Sequence, residues 1–235
     1  MPRYPYPSDV YVSTEEVGTK YNMNFIVDKL KSGKEMLLSV DHSKLNSERK
    51  LEFLAISSIL FFTGARISEV LQMKYSDILL DDDDPENVWL TVSLLVEKRK
   101  PVKPHPKKNI PIYANKNNPY YFVFEWIRDW YIYITNEFST AIEMKQIKQD
   151  QIYDQPIFKY NRHAYYYMCA KYFKINPHGF RKILAQHMVV EKNMPLKTVQ
   201  KILGHSSLIA LDYYINLRTD DIKKNLLETY KKKGD

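Results

Sequence analysis

Four side chains near the C-terminal end have types and spacing that could carry out phosphate chemistry. They are His178, Arg181, His205 and Tyr214. His178 and Arg181 stand three apart in Asn-Pro-His-Gly-Phe-Arg, a pattern that opens a helix, so they share one helix face. Pro195 is placed to open the next helix and Gly204 to close it, which puts His205 just past a helix end. Tyr214 follows His205 by nine residues, with Tyr213 beside it as the alternative nucleophile. Neighbouring helical positions diverge by about 100°, so only one of the two phenols can face a given phosphate. Basic groups beside a tyrosine point to a phosphate held in place while a phenol attacks it.

A second constellation lies upstream, in Thr63-Gly64-Ala65-Arg66-Ile67-Ser68-Glu69. Arg66 falls in the turn between two expected helices. Its plain reading is a surface arginine paired to Glu69 across one helical turn. The alternative is a planar guanidinium aimed at a phosphate, with Glu69 orienting it.

The two stretches, in this order, resemble the two conserved boxes of the tyrosine recombinases, the phage integrase family. The likeness runs over about residues 10–220 and extends to possible archaeal, viral or plasmid integrases. It implies site-specific cleavage and rejoining of duplex DNA through a 3′-phosphotyrosyl bond, without metal, ATP or other cofactor. Arg66 and Arg181 would stabilise the transition state, His178 would take the phenol proton, His205 would donate to the phosphate and Tyr214 would attack. The family also places a lysine on a β-hairpin, to protonate the leaving 5′-oxygen. Counting back eight residues from Pro111 selects Lys103, whereas counting from the end of the preceding strand selects Lys98 or Lys100. Lys182 departs from the family, standing where many members have a second histidine. Type IB topoisomerases and telomere resolvases share the arginine, lysine and tyrosine chemistry and remain an alternative. A DNA-binding relative without activity is another.

The elements that must position these groups are legible in outline. The expected fold is mainly α with a small β-hairpin or sheet, the architecture of the recombinase catalytic domain. Residues 1–9 alternate proline with tyrosine, and residues 1–12 read as an extended segment, with residues 13–235 as the catalytic domain. A helix start is expected at 13–17, and an irregular polar stretch at 34–46. Residues 48–62 are apolar on most sides and read as the central buried helix. Asp81 to Asp84 reads as a solvated turn. Residues 88–97 and 109–113 read as strands, joined by an eleven-residue stretch with six Lys or Arg and three Pro. Two aromatic helices follow, at 119–138 and 162–173, with a polar connection over 139–155 and Pro177 ending the second. The second box forms a helix from 178 to about 192, and residues 220–233 a final amphipathic helix. Arg66 lies too early in the chain for the helical DNA-clamping domain that family members usually carry ahead of the first box.

The formal charge of +7 favours a polyanionic partner. The single cysteine, Cys169, excludes an intrachain disulfide and a cysteine-based metal site. No apolar run approaches a membrane span. The expected partners are a duplex attachment site and further copies of the chain, as a tetramer on DNA. The expected location is the cytoplasm or nucleoid, or the host cytoplasm if a virus or plasmid encodes the chain.

Overall fold

The computed structural model describes residues 11–204 apart from 14, 82, 85 and 97–106. Lys98, Lys100, Lys103, His205, Tyr213, Tyr214 and the expected 220–233 helix lie outside the described residues. Among the described residues, seven α-helices build one core, and a three-stranded antiparallel sheet packs at its side.

Helix α1 spans Met23–Leu38 and α2 spans Ser47–Thr63. The side chain of Asn22 caps α1 by accepting from the Phe25 N–H at 2.9 Å, and Asn46 does the same for α2 toward Arg49. The expected helix start at 13–17 is not found. Gly18 has φ +85°, and the amides of Lys20 and Tyr21 both turn back to the Glu16 carbonyl, which closes a tight turn instead. The expected irregular stretch at 34–46 is also shorter. Leu30, Gly33 and Leu37 keep α1's buried face in period through to Leu38.

Helix α2 is the central element. From Glu52 to Phe61 every residue is buried, and α4 (Tyr121–Glu143) and α6 (Pro177–Gln186) pack against it. Phe53 stacks on Phe173 with ring centroids 5.0 Å apart, and Phe173 in turn stacks on Trp126 of α4. The aromatic stripe of α4 is therefore core on its inner side, with Phe124, Trp126 and Trp130 all buried. Glu52 is a buried charge with a defined purpose. Its carboxylate accepts from the backbone N–H groups of Lys159 and Tyr160, and from the Arg49 guanidinium at 3.0 Å. That fixes the entry to α5 (Arg162–Met168).

Helix α4 runs on to Glu143, through part of the expected connection, because nothing between 139 and 143 breaks it. Lys145, at φ 56°, stops its continuation. Helix α5 widens into a π-helical turn over Cys169–Phe173. It is closed by Lys174 at φ 54°, not by Pro177, which occupies the first turn of α6. Cys169 is fully buried, and burial pushes its thiol well up, as suits a packing residue. Helix α6 likewise widens into a π turn over His187–Glu191, where His187 Nδ1 meets Glu191 at 2.8 Å. Helix α7 spans Leu196–Leu203 and closes on Gly204 in the left-handed conformation, φ 67°.

The sheet has order β1-β2-β3, with β1 Ile78–Asp81, β2 Asn87–Leu95 and β3 Lys107–Asn115. Strand β1 was not expected, because its four residues merge into the acidic run. Asp81 pairs with Trp89 in the ladder instead of lying in a turn. Val88, Leu90, Val92 and Leu94 of β2 face the core together with Ile110, Ile112 and Ala114 of β3. Among the described residues no helix is long and apolar enough to cross a membrane.

Replacing Glu52 by Ala would leave one buried and one part-buried backbone donor, and a guanidinium, without their acceptor. The expected loss of stability is about 3 kcal/mol, read from urea unfolding. A change below about 1 kcal/mol would show that the carboxylate is not the anchor of this loop.

Candidate active site

The site is built at three chain reversals: the α2–α3 turn, the start of α6 and the end of α7. Gly64 caps α2 at φ 57°, a conformation that side chains disfavour. A Cβ there would also lie 2.7 Å from Leu203 Cδ2 and 3.1 Å from Leu184 Cδ2, so the turn lies directly against α6 and α7. Glycine is required on both counts.

Two residues on, Arg66 is the N-cap of the short helix α3, Ile67–Leu71. Glu69, 1% exposed, holds it doubly. One carboxylate oxygen accepts the Arg66 backbone N–H at 3.0 Å, and the other accepts Nη1 at 2.9 Å. Burial alone would raise the Glu69 pKa. Lys108, the Arg66 N–H and the Arg66 guanidinium overcome this and hold the carboxyl below its ordinary value. The pairing read from sequence is thus present, and its geometry is that of an orienting carboxylate. The Arg66 side chain remains 37% exposed, so solvent and a ligand can reach it.

Helix α6 begins at the Asn176 cap, whose side chain accepts from the Gly179 N–H at 2.8 Å, with Pro177 in the first turn. His178 and Arg181 follow on this helix with different fates. His178 is exposed. The protein packed around its ring, together with Arg181, Lys182 and Arg66, pushes its pKa down to about 4. Solvent at the ring screens part of this, so the direction matters most: the free imidazole is neutral near pH 7 and can accept a proton.

Arg181 is buried, 1% exposed. Its Nη1 donates to the Gly64 carbonyl at 2.7 Å and its Nη2 to the Leu203 carbonyl at 2.7 Å. One planar guanidinium thus joins the ends of α2 and α7 to α6. Lys182 is also buried. It reaches back to donate to the Val12 carbonyl at 3.0 Å, with its ammonium over the Tyr11 ring, so it fastens the N-terminal segment.

A cavity of about 180 Å³ opens between these elements, lined by Arg66, Ser68, Arg162, Tyr166, Pro177 and His178, among others. Arg66 and His178, residues from the two sequence boxes, therefore face one space, beside the N-terminal end of α6. Among the described residues no cluster of His, Cys, Asp or Glu is arranged to hold a metal ion.

Two features were missed from sequence. Arg162 lines the cavity from α5, and it carried no local signal beyond opening an aromatic helix. Lys108 extends from β3 to Glu69 Oε2 at 3.5 Å and donates to the Ile202 carbonyl at 3.2 Å, with its side chain 10% exposed. It had been grouped with the basic loop. Its place on the core-facing side of β3, in line with Ile110, Ile112 and Ala114, is the signal that could have found it.

Comparison with known proteins agrees with this geometry. The family model described as the Phage integrase family matches residues 33–220. A tyrosine recombinase of Thermosipho africanus is 25% identical over 189 residues, covering 76% of this chain and 56% of that protein. Tyrosine recombinase XerD of Rickettsia prowazekii is 23% identical over 221 residues, covering 89% of this chain and 68% of that one. The chain thus spans little more than half the length of the first relative, and about two thirds of the second. Among solved structures, the XerH site-specific recombinase bound to difH substrate in a pre-cleavage complex superimposes with a TM-score of 0.53, at 18% identity. That match covers 85% of this chain and 52% of XerH. The XerA recombinase gives 0.51 at 19% identity, over 97% of this chain and 66% of XerA. These likenesses confirm the mainly helical fold with its small antiparallel sheet. With Arg66 and His178 lining one cavity and most of its length matched by the family model, the chain belongs to the phage integrase family.

Proposed function

We propose that this chain cleaves and rejoins duplex DNA at a specific site, using Tyr214 as nucleophile and residues 13–235 as the catalytic domain. The observation that carries the reading is the convergence of Arg66 and His178 on one cavity, with Arg181 fastening the elements that form it. In the reaction the Tyr214 oxygen attacks the scissile phosphorus and the bond to the 5′-oxygen breaks. A 3′-phosphotyrosyl link and a free 5′-hydroxyl result. A phenol is almost wholly protonated at neutral pH, so a base must take its proton, and neutral His178 suits that task. Arg66 meets the phosphate directly, as a part-exposed cation of the cavity. Arg181 contributes its charge from within and holds the site's framework. His205 donates to a phosphate oxygen. A hairpin lysine, Lys103 or else Lys98 or Lys100, returns a proton to the leaving 5′-oxygen. A second 5′-hydroxyl then attacks the phosphotyrosine, so the phosphodiester energy is retained and no ATP is required.

Arg162 at the cavity and the positive formal charge support a DNA backbone as ligand. XerH is bound to difH substrate in a pre-cleavage complex and to palindromic difH substrate in a post-cleavage complex. By likeness we assign this chain an attachment or recombination site, a tetrameric assembly on DNA and a place in the cytoplasm or nucleoid.

The direct test is a nicked suicide duplex carrying the element's own site, incubated in EDTA and resolved on a denaturing gel. Wild type should form a covalent adduct, which Tyr214→Phe loses and Tyr213→Phe keeps. Loss in Tyr213→Phe alone would move the nucleophile by one residue. No adduct with DNA still bound would favour a DNA-binding relative without activity.

The two arginines should separate in the same assay. Arg66→Ala is expected to slow adduct formation by about 10²- to 10³-fold while leaving the melting temperature within a few degrees. Arg181→Ala should slow the reaction and also lower the melting temperature clearly, because it releases two helix-end carbonyls. Equal melting temperatures for the two variants would contradict the framework role.

The pH profile gives a further check. With its folded pKa below the unfolded value of about 6.5, His178 binds its proton less readily in the native state. Its contribution to stability is therefore lost as pH falls from about 6.5 toward about 4. For the same reason the acid limb of kcat/KM for cleavage should lie below the ordinary histidine range. An acid limb at or above about 6.5 would exclude this His as the free-enzyme base.

A further inference from the structure

Strand β3 alternates faithfully, with its core face carrying Ile110, Ile112 and Ala114, and at its start the same face carries Lys108. A buried lysine in an apolar register is costly unless its charge is needed. From α3, Lys108 meets Glu69 at 3.5 Å and lies near Arg66; from α6 it faces Arg181; and from α7 it holds the Ile202 carbonyl at 3.2 Å. Its strand neighbour Lys107 is separately paired with Asp77 at 2.5 Å. Gly204 completes the enclosure, since a Cβ there would lie 3.3 Å from the Lys108 ammonium. Lys108 and Arg66 therefore share the Glu69 carboxylate, and Arg181 adds a third positive charge beside Lys108. For stability alone, such a surplus of positive charge is unfavourable.

We propose that Lys108 is a positioning residue for the strand-transfer reaction: it clamps the C-terminal end of α7 to Glu69 and so fixes the position of Gly204, the residue to which His205 is bonded. This rests on the function proposed above and deepens it. Lys108 and Arg181 take the carbonyls of consecutive residues, Ile202 and Leu203. Glu69 links the same Lys108 to Arg66. The two boxes are thus registered against each other by a residue belonging to neither. His205 is bonded directly to Gly204, so a shift of the helix end carries that imidazole with it.

Burial chiefly, with Arg181 and Arg66 adding and Glu69 opposing, brings the Lys108 pKa down to about 8. The ammonium therefore loses its proton as pH rises through that value, and the clamp loses charge. The linkage sign runs the other way for stability. The unfolded state holds this proton more tightly, so this group's contribution to stability increases as pH rises from about 8 toward the ordinary lysine value. Weaker cleavage without weaker folding is the signature that separates positioning from mere support.

The test compares wild type, Lys108→Met and Lys108→Arg in single-turnover cleavage of the suicide duplex from pH 7 to pH 9, with DNA affinity by anisotropy and thermal melting alongside. Lys108→Met should cleave about 100-fold more slowly at pH 7, the scale of a small misplacement of a reacting group, with DNA affinity changed less than about threefold. Lys108→Arg keeps its charge at every pH tested. It should regain about tenfold over Lys108→Met, and its alkaline fall in rate should move upward from that of wild type. Cleavage by Lys108→Met within about threefold of wild type would overturn the proposal, as would an unmoved alkaline limb in Lys108→Arg. If Lys108→Met fails to fold, the arginine variant and the pH profile decide. Absence of any adduct from wild type would overturn the proposed function and this inference together, whereas equal adduct from wild type and Lys108→Met would overturn this inference alone.

Discussion

The Arg181 guanidinium is the joint on which the rest of the site depends. It donates to the carbonyl ending α2 and to the carbonyl ending α7, while its own backbone belongs to α6. Helix ends leave carbonyls without partners inside the helix, and at a buried junction those acceptors need a donor from elsewhere. A lysine could serve one of them as a point charge. The planar fork serves both in fixed relative geometry. The glycine at 64 and the leucines at 184 and 203 close the remaining space, so the junction is both hydrogen-bonded and tightly packed.

Around this joint the charge is deliberately unbalanced. Glu69 is fully buried and orients Arg66 through two hydrogen bonds, yet Lys108 and Arg181 add positive charge close by. Burial chiefly, with Arg181, Lys182 and Arg66 adding, keeps His178 neutral. The arrangement resembles a socket tuned for an anion, in which the free protein carries an electrostatic cost that a bound phosphate relieves.

Much of this was legible in sequence, for identifiable reasons. The cap signals at Gly64 and Gly204, and the three-residue step from His178 to Arg181, are local and survive folding unchanged. Helix α2 was plain because it is apolar on most sides. What failed was either short or non-local. Strand β1 has four residues and no periodicity of its own. The start of α1 was misplaced because Ser13 and the two Glu resemble a cap, while Gly18 and Asn22 decide the matter. Lys108 was hidden because its partner on α7 is 94 residues away, and a run of basic residues reads as a solvated loop until the strand register is known.

Helix α7 has a consequence for the order in which the site takes shape. It is eight residues long, with only Val199 and Leu203 buried. That is well below the length at which a helix holds together in water by itself. Its native conformation is therefore borrowed from the junction: two cations on its final carbonyls and a few apolar contacts. In hydrogen-exchange terms its amides should exchange ahead of those of α2, where residues 52 to 61 are all buried. Local opening of so short a helix would cost less than opening the scaffold around it.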